Sequence, residues 1–169
     1  MKIRAILAVV VLASAIQAQQ ATTQTPEQQH CAMMKRGDAG MGFSHDKATH
    51  HFVLLKDGGV IQVSVNDPKD DVSRDQICMH LSHIAKMFSE GDFDTPMFIH
   101  DTTPPGVLTM EKLHSEIHYQ YQQTDSGAKI VITTPNPKAL QAVHEFLRFQ
   151  IDEHRTGDPT EVTNDGVQR

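Results

Sequence analysis

The sequence predicts an α+β domain made of two ββα units, because two hairpin signals are each followed by a proline turn and a helical pattern. The hairpin turns are Lys56-Asp-Gly-Gly59 and Asp125-Ser-Gly127, where glycine supplies the backbone angles that tight turns need. Each hairpin leads onward through a similar segment, Asn66-Asp-Pro-Lys69 or Pro135-Asn-Pro-Lys138. The pattern predicts one four-stranded, mainly antiparallel sheet with two main helices on one face.

The first unit has the clearest periodicity. We expect strands over His50–Leu55 and Val60–Val65, where apolar residues dominate. Residues Asp71–Phe88 repeat apolar side chains at three- and four-residue spacing, which predicts an amphipathic helix. Ser73 and Gln76 form a capping-box pair, which indicates that regular helix could start at Ser73 and not at Asp71.

The second unit repeats this order after a connection. Phe93–Gly106 contains three prolines and is expected to be irregular, and Val107–His114 predicts a short extra helix. We expect half-buried strands over Ile117–Gln122 and Lys129–Thr134, followed by a final helix over Lys138–His154. The polar residues of the third strand would lie on the open face of the sheet.

The N-terminus predicts export. Residues 1–4 form a short basic region with Lys2 and Arg4, and residues 5–16 are apolar or small. Ala13-Ser-Ala15 or Ile16-Gln-Ala18 fits a signal-peptidase site. We therefore expect a signal peptide over residues 1–18 and a periplasmic or secreted protein. The remaining boundaries are a flexible arm over residues 19–41, a single domain over residues 42–155 and a disordered tail over residues 156–169.

Composition narrows the function classes. The formal net charge is −6 with acidic and basic residues well mixed, so a nucleic-acid surface is not expected. Beyond the N-terminus no apolar run is long enough to span a membrane. Histidine is unusually frequent, with 11 residues, and there are 8 methionines.

The histidine pattern predicts a metal site. On the helix of the first unit, His80 and His83 are three positions apart and could share a ligand. His50 or His51 at the start of the first strand could complete the site, and His100 is a further candidate ligand. Asp101 could orient one of these histidines from the second coordination sphere.

The donor types favour copper or zinc. Imidazole suits both metals, and thioether or thiol donors favour Cu(I). The competing interpretation is that His80 and His83 are half-buried residues at the border of the core. A histidine among apolar neighbours, His144, is expected to be a core residue that bonds to a neighbour.

Two other functions stay open. A small periplasmic enzyme could use His100 and Asp101, or His50 and His51, as acid–base groups. A non-catalytic interaction module could form a homodimer through the sheet face or an edge strand. Cys31 and Cys78 could form one disulfide. Alternatively, Cys31 is a free thiol or a soft metal ligand.

Four segments carry a resemblance to a group of small exported bacterial proteins of uncharacterised function: MGFSHDKATHHF, VNDPKDDVSRDQICMHLSHIAKMF, GDFDTPMFIHDTTPPGV and AVHEFLRFQIDEHRTGD. The resemblance extends from about Met41 to Asp158 and implies a recurring domain. Such sequences sometimes carry the label aspartate carbamoyltransferase. This chain lacks the Ser-Thr-Arg-Thr carbamoyl-phosphate loop of that enzyme, so the resemblance implies no catalytic residues.

Overall fold

The computed structural model describes residues 25–163 and has the predicted α+β architecture. In chain order the elements are α1 (Pro26–Met41), β1 (Ala48–Leu55), β2 (Gly58–Val65), α2 (Asp71–Ser89), α3 (Asp94–His100), α4 (Val107–Lys112), β3 (His118–Thr124), β4 (Gly127–Thr133) and α5 (Pro137–His154). The four strands form one antiparallel sheet in the order β1-β2-β4-β3. Short 3-10 turns precede β1 and β3.

The two hairpins meet along β2 and β4 at the centre of the sheet. Each hairpin turn is followed at once by a glycine, Gly58 or Gly127, that faces the backbone of the other hairpin. A Cβ atom at Gly58 would collide with the carbonyl oxygen of Ile132, and one at Gly127 would collide with that of Val63. Only glycine therefore permits the close pairing that joins the two units into one sheet.

The helices are exchanged between the units. α2 follows the first hairpin but packs mainly on β3 and β4, whereas α5 follows the second hairpin and packs on β1 and β2. The imidazole Nε2 of His144 on α5 lies 2.9 Å and 3.0 Å from the carbonyl oxygens of Leu55 and Gly58. His144 is thus the hydrogen-bonded core residue that its apolar neighbours predict.

The core lies between the helices and the inner face of the sheet. Aromatic rings of Phe88, Phe93 and Phe146 pack together there, with Phe88 and Phe93 stacked at 4.3 Å between ring centres. The outer face carries His118 and Gln120, both exposed. β3 therefore has one apolar side and one polar side, as its alternation predicts.

The largest difference from the sequence prediction is α1, because Pro26–Met41 is helical where a flexible arm was expected. Thr25 and Gln28 form a capping box, in which each side chain accepts a hydrogen bond from the backbone N–H of the other residue. Met33 and Met41 are buried on one stripe of this helix. Burial against the domain holds an otherwise polar helix in place.

The region between α2 and α4 also differs. Residues Asp94–His100 form α3 rather than irregular chain. Pro96 lies in the first turn of this helix, where the missing N–H costs no intrahelical bond. Upstream, Asp70 caps α2 by accepting a hydrogen bond from the Ser73 backbone N–H at 3.0 Å, so α2 begins at Asp71 rather than at Ser73.

Part of the expected disordered tail is ordered. The Thr163 N–H donates to the Leu54 carbonyl at 2.9 Å, and the Asp158 carboxylate accepts from the Phe52 N–H at 2.9 Å. Residues 156–163 therefore satisfy backbone groups along the outer edge of β1. The predicted signal peptide, residues 19–24 of the arm and residues 164–169 of the tail lie outside the described residues. Within residues 25–163 no helix combines the length and apolar character that a membrane crossing requires.

Candidate functional site

A cavity of about 70 Å³ lies between the inner face of the sheet and α2, α3 and α5. Its walls are mostly apolar, but four histidines from four different elements also line it. A cavity of this size has room for an ion with a few water molecules. The polar or sulfur-bearing lining residues are Met41, His50, His80, Thr95, His100, Gln150 and His154.

His50 reaches the cavity because it lies on the inner face of β1. Side chains alternate between the faces of a strand, so His50 shares its face with Phe52 and the intervening His51 points to the other face. His80 comes from α2, next to the buried Leu81. His83, three residues further along, is exposed outside the cavity.

The other two histidines stand at helix ends. His100 is the last residue of α3 and His154 is the last residue of α5. The residues that follow, Asp101 and Arg155, adopt left-handed backbone angles with φ of 54° and 52°. The C-terminal end of a helix carries partial negative charge, so both histidines lie where a cation is favoured.

The histidine rings lie close to one another. The ring centre of His154 is 5.3 Å from that of His50 and 5.3 Å from that of His100. Phe43 links His50 and His80, with ring centres at 6.2 Å and 5.8 Å respectively. His50, His154 and His100 thus form a row of contacting rings. His80 is connected to His50 only through the ring of Phe43.

Burial keeps these imidazoles neutral. It lowers the pKa of His50 to about 4, and the nearby His80 lowers it further as a potential like charge. Burial likewise lowers the pKa of His80 to about 4 and that of His154 well below its ordinary value. At neutral pH each ring therefore keeps a lone pair on one nitrogen.

His100 is held by Gln150. Its Nε2 lies 3.1 Å from the Gln150 amide oxygen, which can only accept, so Nε2 carries the proton and Nδ1 carries the lone pair. That Nδ1 is buried without a hydrogen-bond partner, and the nearest carboxylate oxygen, from Glu153, is 3.8 Å away. Burial lowers the pKa of His100, while the Gln150 hydrogen bond opposes this shift.

The remaining predicted residues lie elsewhere. The His51 Nδ1 is 2.9 Å from the Asp158 carboxylate on the outer side of β1. Asp101 is exposed, and Gln150, not Asp101, orients His100. The structure therefore brings His50, His80 and His100 together and leaves His51, His83 and Asp101 outside the cavity lining.

His154 is the site residue that sequence reasoning missed. It follows Gln150 by four positions and Phe146 by eight, and all three line the cavity. Residues four apart share one face of a helix, so this spacing could have placed His154 beside the buried residues of α5. The prediction located it only near the end of the helix.

Several side chains must still move before they can share an ion. Within residues 25–163, no three His, Cys, Asp or Glu side chains are positioned to hold a metal ion together. Both cysteines are free thiols in the structure: Cys31 is exposed, and the Cys78 Sγ lies 3.2 Å from the Gly127 carbonyl oxygen. Neither cysteine lines the cavity.

Comparison with known proteins adds no further assignment. No protein-family model, no curated protein and no solved structure matches this chain. The resemblance to small exported bacterial proteins stays a sequence-based prediction.

Proposed function

We propose that this protein is an exported metal-binding protein that holds copper or zinc on the cavity histidines. The observation that carries the proposal is the presence of four neutral imidazoles, from β1, α2, α3 and α5, in the lining of one small apolar cavity. Burying imidazole nitrogens without hydrogen-bond partners costs free energy. A ligand shared by the cavity histidines would offset this cost. Export is part of the proposal and rests on the predicted signal peptide.

The protonation state of the cavity favours a metal. A metal binds only the lone pair of an imidazole, so it competes with protons. The pKa values of His50 and His80 are about 4, so protons do not compete at neutral pH. The Nδ1 of His100 makes no hydrogen bond, and the Glu153 carboxylate lies 3.8 Å from it.

The ring spacing also suits a shared ion. A metal–nitrogen bond of about 2.0–2.1 Å places two imidazole centres on a tetrahedral ion roughly 5 Å apart, and the His50–His154 and His100–His154 pairs are both at 5.3 Å. The nitrogens must rotate towards one point. An off-rotamer side chain costs about 1 kcal/mol, whereas a structural Zn²⁺ site contributes more than about 10 kcal/mol.

A titration tests the proposal directly. Purified protein is titrated with Cu(I), Cu(II) and Zn(II), and the experiment is repeated with the double variant His50→Gln/His154→Gln. We expect one ion per chain at micromolar or tighter affinity, and a loss of at least about 100-fold in the double variant. Millimolar binding, or binding that the double variant leaves unchanged, refutes the proposal.

Two histidines on α2 provide a matched control. His80→Gln removes a cavity imidazole, whereas His83→Gln removes an exposed one from the same helix. We expect His80→Gln to weaken metal binding and His83→Gln to leave the affinity unchanged. Equal effects from the two variants would place the ion outside the cavity.

A second candidate function, acid–base catalysis, is favoured by the His51–Asp158 pair. Asp158 accepts from the Phe52 N–H and lies 2.9 Å from the His51 Nδ1, so it is held in place to orient the imidazole. A carboxylate on Nδ1 leaves Nε2 able to exchange a proton with a substrate. Hydrolysis of a panel of ester and phosphoester substrates that is lost in His51→Gln would support this function over metal binding.

Association of two copies is a further proposal. β3 is an edge strand, and no described strand pairs with its outer side, whereas residues 156–163 cover the outer edge of β1. An uncovered edge offers backbone groups to another strand. Small-angle scattering tests this, because a dimer that disappears in a Gln120→Pro variant would place the contact at β3.

A further inference from the structure

We infer that the cavity selects a monovalent soft cation, Cu(I), over Zn(II) and Cu(II). The inference deepens the proposed function and rests on it. It follows from two properties of the described lining, the charge of its donors and the chemistry of its one sulfur atom.

The lining donors are all uncharged. In the part of the chain that the structure describes, no carboxylate and no thiol lines the cavity. The side chains that act electrostatically on His154 are other histidines, His50, His100 and His30. The Glu153 side chain is 45% exposed and does not line the cavity, although its carboxylate lies 3.8 Å from the Nδ1 of His100.

Uncharged donors discriminate between ion charges. The cost of moving an ion from water into a medium of low polarity rises with the square of its charge. A divalent ion therefore carries about four times the penalty of a monovalent ion of similar size. Without an anionic ligand to offset that penalty, the cavity favours a single positive charge.

The sulfur atom favours the same ion. Met41, at the end of α1, is buried and lines the same cavity as the four histidines. A thioether is a soft donor that selects Cu(I), and imidazole is compatible with that choice. Zn(II) and Cu(II) sites usually add harder or charged ligands, which this lining does not offer.

The test compares ions on the same protein. The full chain is titrated anaerobically with Cu(I) in competition with a chromogenic Cu(I) chelator, and with Zn(II) and Cu(II) in competition with matched chelators. We expect Cu(I) to bind at least about 100-fold more tightly than Zn(II). We expect a Cys31→Ser variant to keep its Cu(I) affinity, which would show that Cu(I) binds in the cavity and not at the exposed thiol of Cys31.

Two variants examine charge and sulfur separately. Gln150→Glu places a carboxylate beside His100, and we expect it to raise Zn(II) affinity about tenfold, whereas the exposed Gln123→Glu has no effect. Met41→Leu is expected to lower Cu(I) affinity about tenfold without affecting Zn(II), while the exposed Met79→Leu changes neither.

The outcomes separate the inference from the proposed function. Zn(II) or Cu(II) binding as tight as Cu(I), with loss in His50→Gln/His154→Gln, overturns the selectivity and leaves metal binding standing. The absence of binding for every ion, or binding that His50→Gln/His154→Gln leaves unchanged, overturns both the selectivity and the proposed metal binding. Circular dichroism shows whether Gln150→Glu folds. If it does not, the relative affinities of the unmodified chain for Cu(I), Zn(II) and Cu(II) decide whether the cavity is selective.

Discussion

The imidazole rings of His50 and His154 lie 5.3 Å apart with an interplanar angle of 21°. This contact joins the first strand of the domain to the last residue of its final helix. Both side chains are half-buried, and burial together with the potential like charge of nearby histidines lowers the pKa of each ring. The stability of the fold is therefore linked to pH through these side chains.

We predict that the free energy of unfolding falls as the pH falls from about 6.5 towards about 4. The pKa of His50 and that of His80 are about 4 in the fold, lowered from 6.5. Between these values the unfolded chain binds more protons, so acid favours unfolding. The free energy of unfolding is highest above pH 6.5. Each of these histidines lowers it by at most about 3 kcal/mol as the pH falls to about 4.

Urea unfolding in the presence of a chelator measures this dependence, at about pH 7.5 and at about pH 4.5. His50→Leu should reduce the difference between the two conditions, because it removes one of the depressed groups. His118→Leu, at an exposed position on the outer face, should leave the difference unchanged. Equal stability at both pH values would contradict the prediction.

His144 is predicted to stabilise the fold without taking part in metal binding. It lies within hydrogen-bond distance of the carbonyl oxygens of Leu55 and Gly58 at the first hairpin, and it does not line the cavity. His144→Leu should lower the free energy of unfolding by about 2 kcal/mol, since a buried hydrogen-bonded pair is lost. Calorimetry measures the loss, and an unchanged metal affinity confirms the separation of roles.

Gly106 is predicted to be far less tolerant of substitution than Gly42. Both have positive φ, 84° and 80° respectively, so alanine strains the backbone by about 1 kcal/mol at either position. A Cβ at Gly106 would also collide with the Ala142 carbonyl oxygen on α5, whereas one at Gly42 meets nothing within 4 Å. Gly106→Ala should therefore cost about 3 kcal/mol or more, and Gly42→Ala about 1.

Denaturant unfolding of both glycine variants tests the close approach of α4 and α5. If the two variants lose equal stability, backbone strain alone accounts for the effect and the helices are less closely packed than described.

Asp158 is predicted to hold the C-terminal segment against β1. Its carboxylate accepts from the Phe52 N–H and contacts His51. Asp158→Ala should lower the free energy of unfolding by about 1–2 kcal/mol and speed hydrogen exchange at the Phe52 amide. Asp152→Ala, at an exposed position on α5, should change stability by less than about 0.5 kcal/mol. Full protection of Phe52 in Asp158→Ala would show that the segment is held by other contacts.

The sequence predicts the elements that depend on local signals. The structure contains the turns before Gly58 and Gly127, the apolar repeat of α2 and the proline turn that leads into α5. Two helices were missed for local reasons as well. The Thr25–Gln28 capping box marks the start of α1 within a polar stretch. Pro96 was interpreted as a helix breaker, although it lies in the first turn of α3.

The site was predictable only in part because its residues come from distant segments. The inward orientation of His50 follows from strand alternation, but its proximity to His154 depends on the packing of α5 over β1. His83 was chosen for its spacing from His80, yet the helix rotates it out to solvent. Spacing along one helix identifies which residues share a face, and tertiary packing decides which face is buried.

The exchange of helices between the two units also sets the order in which the domain can be completed. The inner face of β1, with Phe52 and Leu54, is covered by α5, which is the last helix of the described residues. Long-range contacts of this kind form late and slowly. A partial chain that ends before Pro137 lacks the wall of the cavity that α5 supplies, so the histidine pocket forms only after α5 has packed against β1.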